Sequence, residues 1–286
     1  MDDVQELQSE TVREAPSRDG VQAGVYLLEL SLDWIVLRAS ENIHQLLGES
    51  HVTLIDEPIG KFVHSQALHD LRNLFSRLSG RTAIGRAYGI RLTDDPDLVD
   101  IAFQLSEGHV ILEAVPSSGA FGECFGSVGG LVTGLGETRG AALLDNAARR
   151  MRALTGYDRV TLVCGDGRAQ SSRGALTSEA EAGDGLPTIV ADADAQVVGL
   201  FPRAARDEAA AEALMRACSS EERTRLSTAG IRAVLRVPFE VDGITGEFRC
   251  ESRTAREPSF ELHAAAELFA QLFAMRVQID RLKPGS

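Results

Sequence analysis

The chain has 286 residues, 44% hydrophobic and 25% charged, the proportions of a soluble globular protein of one large or two ordinary domains. A formal net charge of -13, with arginines interspersed among Asp and Glu rather than clustered, argues against nucleic acid as a partner. No apolar run reaches the ~18 residues of a membrane span. The four cysteines, Cys124, Cys164, Cys218 and Cys250, lie far apart without a C-x-x-C; with no signal peptide they read as reduced thiols of a cytoplasmic protein.

Residues 1–20 are polar and acidic, a mobile arm by composition. Tyr26–Leu30 and Ile35–Ala39 read as strands around a turn at Ser31–Asp33, and Ser40 caps a short helix ending at Gly48. A helix over Ser65–Leu78 places Leu68, Leu71, Phe75 and Leu78 on one face. Val99, Ile101, Phe103 and Leu105 alternate with polar or small residues, the pattern of a half-buried strand, and Glu107-Gly108 turns it into a partner over His109–Val115. His44, His51, His64, His69 and His109 all fall in this half. His64 and His69 miss the i,i+4 spacing of a helical metal pair, so they read as surface or capping residues.

Ser117–Gly136 is glycine-dense and reads as a linker. Its Gly134-Leu135-Gly136 lacks the third glycine and the βαβ context of a dinucleotide turn, and no P-loop is present. Thr138–Leu154 is an amphipathic helix closed by Gly156, leading through Tyr157-Asp158-Arg159-Val160 into a strand. Glu208–Cys218 is Ala-rich and predicts helix. Ser219-x-x-Glu222 is a capping box and Gly230 a C′ glycine, so a helix lies between them. Ile231–Val241, Asp242-Gly243 and Ile244–Glu251 make a hairpin. The last helix, Ser259–Leu282, carries Ala265, Leu268, Leu272, Met275, Ile279 and Leu282 at coiled-coil spacing, with Phe269, Phe273 and Val277 as a second stripe beside it.

These elements resemble the PAS–GAF portion of bacterial phytochromes. The likeness rests on Gly230-Ile231-Arg232-Ala233, on Val241-Asp242-Gly243, on Cys250, on the Thr155-Gly156-Tyr157-Asp158-Arg159-Val160 junction, and on Ala264–Leu272 of the exit helix. It implies an α+β fold: two antiparallel-sheet sensory domains, PAS then GAF, joined by the Gly-rich linker and ending in a long amphipathic helix. The boundaries are an arm over 1–20, PAS over 21–117, linker over 118–136, GAF over 137–258, and a dimerisation or output helix over 259–286. It also places Cys250 beside the bilin, although a small buried residue is the plainer reading.

The positions that carry bilin chemistry in that family differ here. Glu222 replaces the helix His, Arg225 the nearby aromatic and Glu251 the strand His. Gly20-Val21-Gln22-Ala23-Gly24 keeps a trace of the N-terminal Ile-Gln-x-His-Gly element without its His, and no cysteine precedes Cys124 for covalent attachment. Gln170–Pro187 is short and acidic where the family has its Pro-Ala-Ser-Asp-Ile-Pro segment and a helix. Buried carboxylates at Glu222 and Glu251 would repel bilin propionates. The loop that lassoes the arm in phytochromes falls at Glu208–Cys218, and the residues leave open whether that crossing persists.

No catalytic, cofactor-binding or metal-binding set emerges. There is no G-x-S-x-G or H-E-x-x-H, and His263 is the one histidine of the C-terminal half. Asp192 and Asp194 read as a solvated turn, Glu222 as the capping-box residue, and Arg225 as its i,i+3 neighbour. The leading expectation is a non-enzymatic, phytochrome-like signalling module without a cofactor, a homodimer through the C-terminal helix. A histidine kinase, response regulator or other phytochrome-pathway protein is its expected partner, with no nucleic acid and no membrane. The alternative is a red-light photoreceptor or small-ligand sensor holding biliverdin or another planar molecule non-covalently; an enzyme has no support. The chain ends at Lys283-Pro284-Gly285-Ser286, where a phytochrome continues into a further sensory domain and commonly a kinase. It is expected either to be part of a longer sensor or to act on a partner in trans.

Overall fold

The computed structural model describes residues 20–78, 83–119, 122–136, 138–174, 185–203 and 211–282. The arm over residues 1–19, residues 175–184 of the Gln170–Pro187 stretch, residues 204–210 and the final 283–286 lie outside them.

In the first half, β2 (Tyr26–Leu30), β3 (Val36–Ser40), β4 (Gly85–Ile90), β5 (Val99–Ser106) and β6 (His109–Pro116) form most of a six-stranded antiparallel sheet. The tip residues of its β5–β6 hairpin, Glu107 and Gly108, take φ of 47° and 86°. Both values are those of a tight turn whose twist matches the strands. One face of the sheet packs Leu28, Leu30, Val36, Ile101, Phe103 and Leu112 against α1 (His44–Leu47), α2 (His51–Leu54) and α3 (Ser65–Phe75).

The second half forms a five-stranded antiparallel sheet in the order β8-β7-β13-β12-β9, from β7 (Arg159–Cys164), β8 (Gly167–Ser172), β9 (Thr188–Val190), β12 (Ala233–Val241) and β13 (Ile244–Ser252). Asp242 and Gly243, at φ 46° and 76°, make the β12–β13 turn as the sequence predicts. Helices α5 (Gly140–Thr155) and α7 (Phe260–Leu282) cover one face of this sheet. There Phe269 and Phe273 of α7 meet Phe239 and Phe248 edge-on, with ring centroids 5.4–5.9 Å apart. Each fully buried ring contributes roughly 1.5–3 kcal/mol through lost water contact. Helix α6 (Ser220–Thr228) lies on the other face: Leu226 packs with Val190 and Val234 of the sheet.

The halves interlock. From the second half, β10 (Val197–Val198) pairs with β1 (Val21–Gln22), and β11 (Leu200–Phe201) adds to the edge strand β3 of the first sheet. A single apolar cluster runs from Val21, Leu27, Ala102 and Ile111 through Leu200, Leu214 and Met215 to Phe248 and Phe269. This explains why β5 differs from its expected half-buried pattern. Ile101 and Phe103 face the helices, while Ala102 faces the second half, so both faces are buried.

Other expectations shift locally. The glycine-dense segment read as a linker contains α4 (Glu123–Thr133), whose start is held by the Glu261 carboxylate of α7, accepting from Gly122 N at 2.9 Å and Cys124 N at 3.1 Å. Ser40 does not cap a helix side-on. Its hydroxyl accepts from Leu27 N at 3.0 Å, and the helix begins only at His44. Of the predicted Glu208–Cys218 helix, only residues 211 and 212 are helical among the described ones. Residues 213–217 run as an irregular strap because their amides bond to the N-terminal segment and to Glu113.

Candidate functional site

Alternation along β13 decides which side chains face α6. Phe248 and Cys250 pack in the core cluster under α7, so Glu247, Arg249 and Glu251 project from the opposite face. Register then builds three rungs across the sheet. Glu251 lies between Arg159 of β7 and Val234 of β12, Arg249 between Thr161 and Arg236, and Glu247 between Val163 and Pro238. This face is where the resemblance puts a ligand.

In this chain a charged ladder occupies it. Arg159 Nε donates to Glu251 Oε2 at 2.5 Å, and Arg249 Nε donates to Glu251 Oε1 at 2.8 Å. Glu251 is 0% exposed and Arg159 1%. Burial pulls the Arg249 guanidinium down from its usual range, with Glu251 the main group opposing. Arg236 Nη2 lies 3.9 Å from Glu222 Oε1 on α6, so Glu222 and Glu251 both stand against arginines of the sheet. Thr161 Oγ1, buried on the same face, has no hydrogen-bond partner among the described residues.

Local sequence places α6 firmly. Ser219 Oγ accepts from Glu222 N at 3.1 Å, the expected cap. At the other end Gly230 (φ 68°) donates to Ser227 O and Ile231 donates to Leu226 O, the two bonds of a Schellman ending. Arg232, just beyond, clamps Asp192 with bonds of 2.8 and 2.6 Å and reaches Asp194 at 3.1 Å. The Asp192 carboxyl is held below its usual range chiefly by that Arg232 bond. The acidic turn is thereby tied to the entry of β12. The Gly230-Ile231-Arg232-Ala233 stretch carries the Arg of this tie, but forty residues separate it from Asp192 and no local pattern links the two.

The thiols lie elsewhere. Cys250 is fully buried on the α7 side of the sheet, not beside the ligand face as the resemblance implied, and burial pushes its thiol up. Cys164 and Cys218 are buried and Cys124 is half-buried on α4. The histidines are dispersed: His64 Nε2 is 3.5 Å from Asp94, His69 accepts from Asn73 at 2.9 Å, and His109 donates to Glu29 at 2.6 Å. Among the described residues no group of three or more His, Cys, Asp or Glu could hold a metal ion. None of their helices is long and apolar enough to cross a membrane.

The other candidate surface is on α7. Phe269 and Phe273 are buried, as is Ala265 of the predicted seam, which belongs to the core instead. Leu268, Met275, Ile279 and Leu282 are 39%, 51%, 47% and 73% exposed, an apolar stripe on the outer side of the helix.

No family model matches the chain, and no curated protein matches it. Solved structures do. The chromophore-binding domain of Stigmatella aurantiaca phytochrome P1 aligns with a TM-score of 0.73 at 20% identity, over 93% of this chain and 98% of that one. The chromophore-binding domain of the bacteriophytochrome RpBphP3 from R. palustris aligns with a TM-score of 0.70 at 20% identity, over 92% and 96%. The longer photosensory core module of the Stigmatella protein aligns with a TM-score of 0.73 at 20% identity, over 93% of this chain and 59% of that one. From β1 to α7, the chain has the fold of a bacteriophytochrome chromophore-binding domain.

Proposed function

We propose that this chain is a phytochrome-like PAS–GAF signalling module that carries no covalent bilin, has no enzymatic activity, and works as a homodimer through α7. The observation that carries the reading is the Arg159–Glu251–Arg249 ladder, buried across the sheet face where a bilin would lie. Two cations and an anion packed in mutual contact leave the planar rings of a bilin no apolar seat there, and separating them from each other would be costly. The absence of a cysteine before Cys124 supports the same reading. The exposed stripe Leu268, Met275, Ile279 and Leu282 supports self-association, since apolar residues at 3-4 spacing are best buried against a second helix. Its output partner would then be a signalling protein such as a histidine kinase or response regulator, engaged through the dimer.

One observation favours a second reading, a sensor that holds a small ligand non-covalently. The buried hydroxyl of Thr161 lies on the ladder face with no partner among the described residues, and buried polar atoms are ordinarily satisfied. The test is an absorbance spectrum of the purified chain with and without biliverdin, in darkness and after red light. An unchanged pigment spectrum supports the first reading. A red-absorbing complex that shifts on illumination overturns it in favour of the second.

A further inference from the structure

Glu113 on β6 projects from the first sheet toward the second half of the molecule. Its partners in register, Leu27 of β2 and Ala102 of β5, are apolar and buried, and Glu113 itself is 2% exposed. One carboxylate oxygen accepts from Leu214 N and the other from Met215 N, each at 2.8 Å. These amides belong to the strap over residues 213–217, which is the meeting point of three parts of the chain. Leu214 O accepts from Ile189 N of β9 at 2.7 Å, Met215 O from Gln22 N at 3.2 Å, and Ala217 N donates to Gly20 O at 3.0 Å. The Gln22 side chain spans the same place, donating to Ile189 O at 2.6 Å and Arg216 O at 3.1 Å and accepting from Ala191 N at 2.8 Å.

The ionisable residues the strap brings to this junction are Arg216 and Glu212. Arg216 is 2% exposed and its guanidinium donates to Pro187 O and Ala213 O. Glu212 contributes its carbonyl, which takes Gln104 Nε2 at 2.6 Å. The N-terminal segment brings the neutral Gln22; β2 and β5 bring Leu27 and Ala102 directly beside Glu113, with Glu29 of β2 and Asp100 and Gln104 of β5 two residues along on the same face. The carboxylate is thus withdrawn from water among two neutral amides and apolar side chains, with one cation nearby. Desolvation in such a site disfavours the charged form, and the two amide bonds and Arg216 pull the other way.

We infer that Glu113 couples closure of the junction between the two halves to proton uptake. With the strap in place the carboxyl is shielded and retains its proton to higher pH; when the strap lifts, the group returns to water and releases it. Burial pushes Glu113 up from 4.5 to about 7, against the pull of the Met215 and Leu214 amides and of Arg216. The sign follows from linkage. The closed state binds more protons between pH 4.5 and about 7, so acidification across that window favours closure and a rise in pH weakens it.

The experiment is amide hydrogen exchange of Leu214 and Met215 in the full chain at pH 6 and pH 8, corrected for intrinsic exchange. The closed-to-open ratio is expected to be roughly tenfold higher at pH 6 than at pH 8, and the Glu113→Gln variant is expected to lose that dependence. An equal ratio at both pH values, or the same slope in E113Q, overturns the inference. Should E113Q fail to fold, a carbon-13 carboxyl titration of the unaltered protein decides. A Glu113 midpoint near neutrality upholds the inference, and one in the ordinary carboxylate range overturns it.

Discussion

Glu251 of β13 stands opposite Arg159 of β7 with its carboxylate 2.5 Å from the guanidinium and neither side chain in contact with solvent. Arg249, two residues before Glu251 on the same strand, closes on its other oxygen at 2.8 Å. Glu251→Gln removes the charge on which both guanidinium groups converge and is expected to cost about 3–5 kcal/mol, because a buried cation loses its anion. A triple replacement, Arg159→Met and Arg249→Met with Glu251→Leu, should recover most of that loss. Urea denaturation of the three proteins measures both effects, and a loss below 1 kcal/mol for E251Q would show the ladder to be solvated.

The end of α6 depends on a left-handed backbone. Gly230→Ala puts a Cβ at φ 68°, where a side chain costs roughly 1–2 kcal/mol, and weakens the bonds to Ser227 O and Leu226 O. The space around Gly230 is open, so no side-chain clash adds to the loss. Thermal unfolding gives its size, and Ser219→Ala at the other end should cost a comparable ~1 kcal/mol.

His263 sets an acid limit on stability. It is fully buried on α7, and its Nδ1 accepts from Arg86 Nη2 of β4 at 2.7 Å. Arginine can only donate, so Nδ1 carries no proton and the ring is neutral. Burial, then Arg86, hold its pKa well below 6.5, with the Arg236 carbonyl opposing. A depressed pKa means stability present above 6.5 and lost as pH falls below it, by up to ~1.4 kcal/mol per pH unit, since the unfolded chain takes up a proton that the folded one refuses. Glu113, raised, acts in the opposite direction between 4.5 and about 7. His263→Gln, which can still accept from Arg86, should flatten the acid slope in pH-dependent denaturation. An unchanged slope would place the acid sensitivity elsewhere.

On the proposed dimer, Met275→Glu and Ile279→Glu each put a charge into the interface without touching the core, since both side chains are about half exposed in the single chain. Light scattering should then report a monomer with unaltered circular dichroism. A monomer before mutation, or a dimer after it, removes α7 from the interface.

Tethering of α4 gives a further test. Glu261→Ala frees the Gly122 and Cys124 amides, and a helix containing Gly126, Gly129 and Gly130 has little propensity to persist alone. Hydrogen exchange across Glu123–Thr133 should rise at least tenfold while β12 and β13 keep their protection.

The linear sequence by itself determined the features whose cause is local. The Asp242-Gly243 turn, the Ser219 cap, the Gly156 and Gly230 endings and the apolar stripes of α3 and α7 follow from turn chemistry and periodicity, which act within a few residues. The sequence also sets carboxylates at Glu222 and Glu251. Only the tertiary structure decided what those carboxylates face: strand register brings Arg159 to Glu251, and packing of α6 on the sheet brings Arg236 to Glu222. It likewise decided that β5 is buried on both faces, that the Ala-rich 213–217 stretch is a strap and that a Gly-rich segment is helical. For the strap and the Gly-rich helix, long-range hydrogen bonds involving Glu113, Gln22 and Glu261 supply more than local propensity withholds. Glu113 itself is an ordinary carboxylate in a strand pattern. Its burial arises only when two halves of the chain close over it.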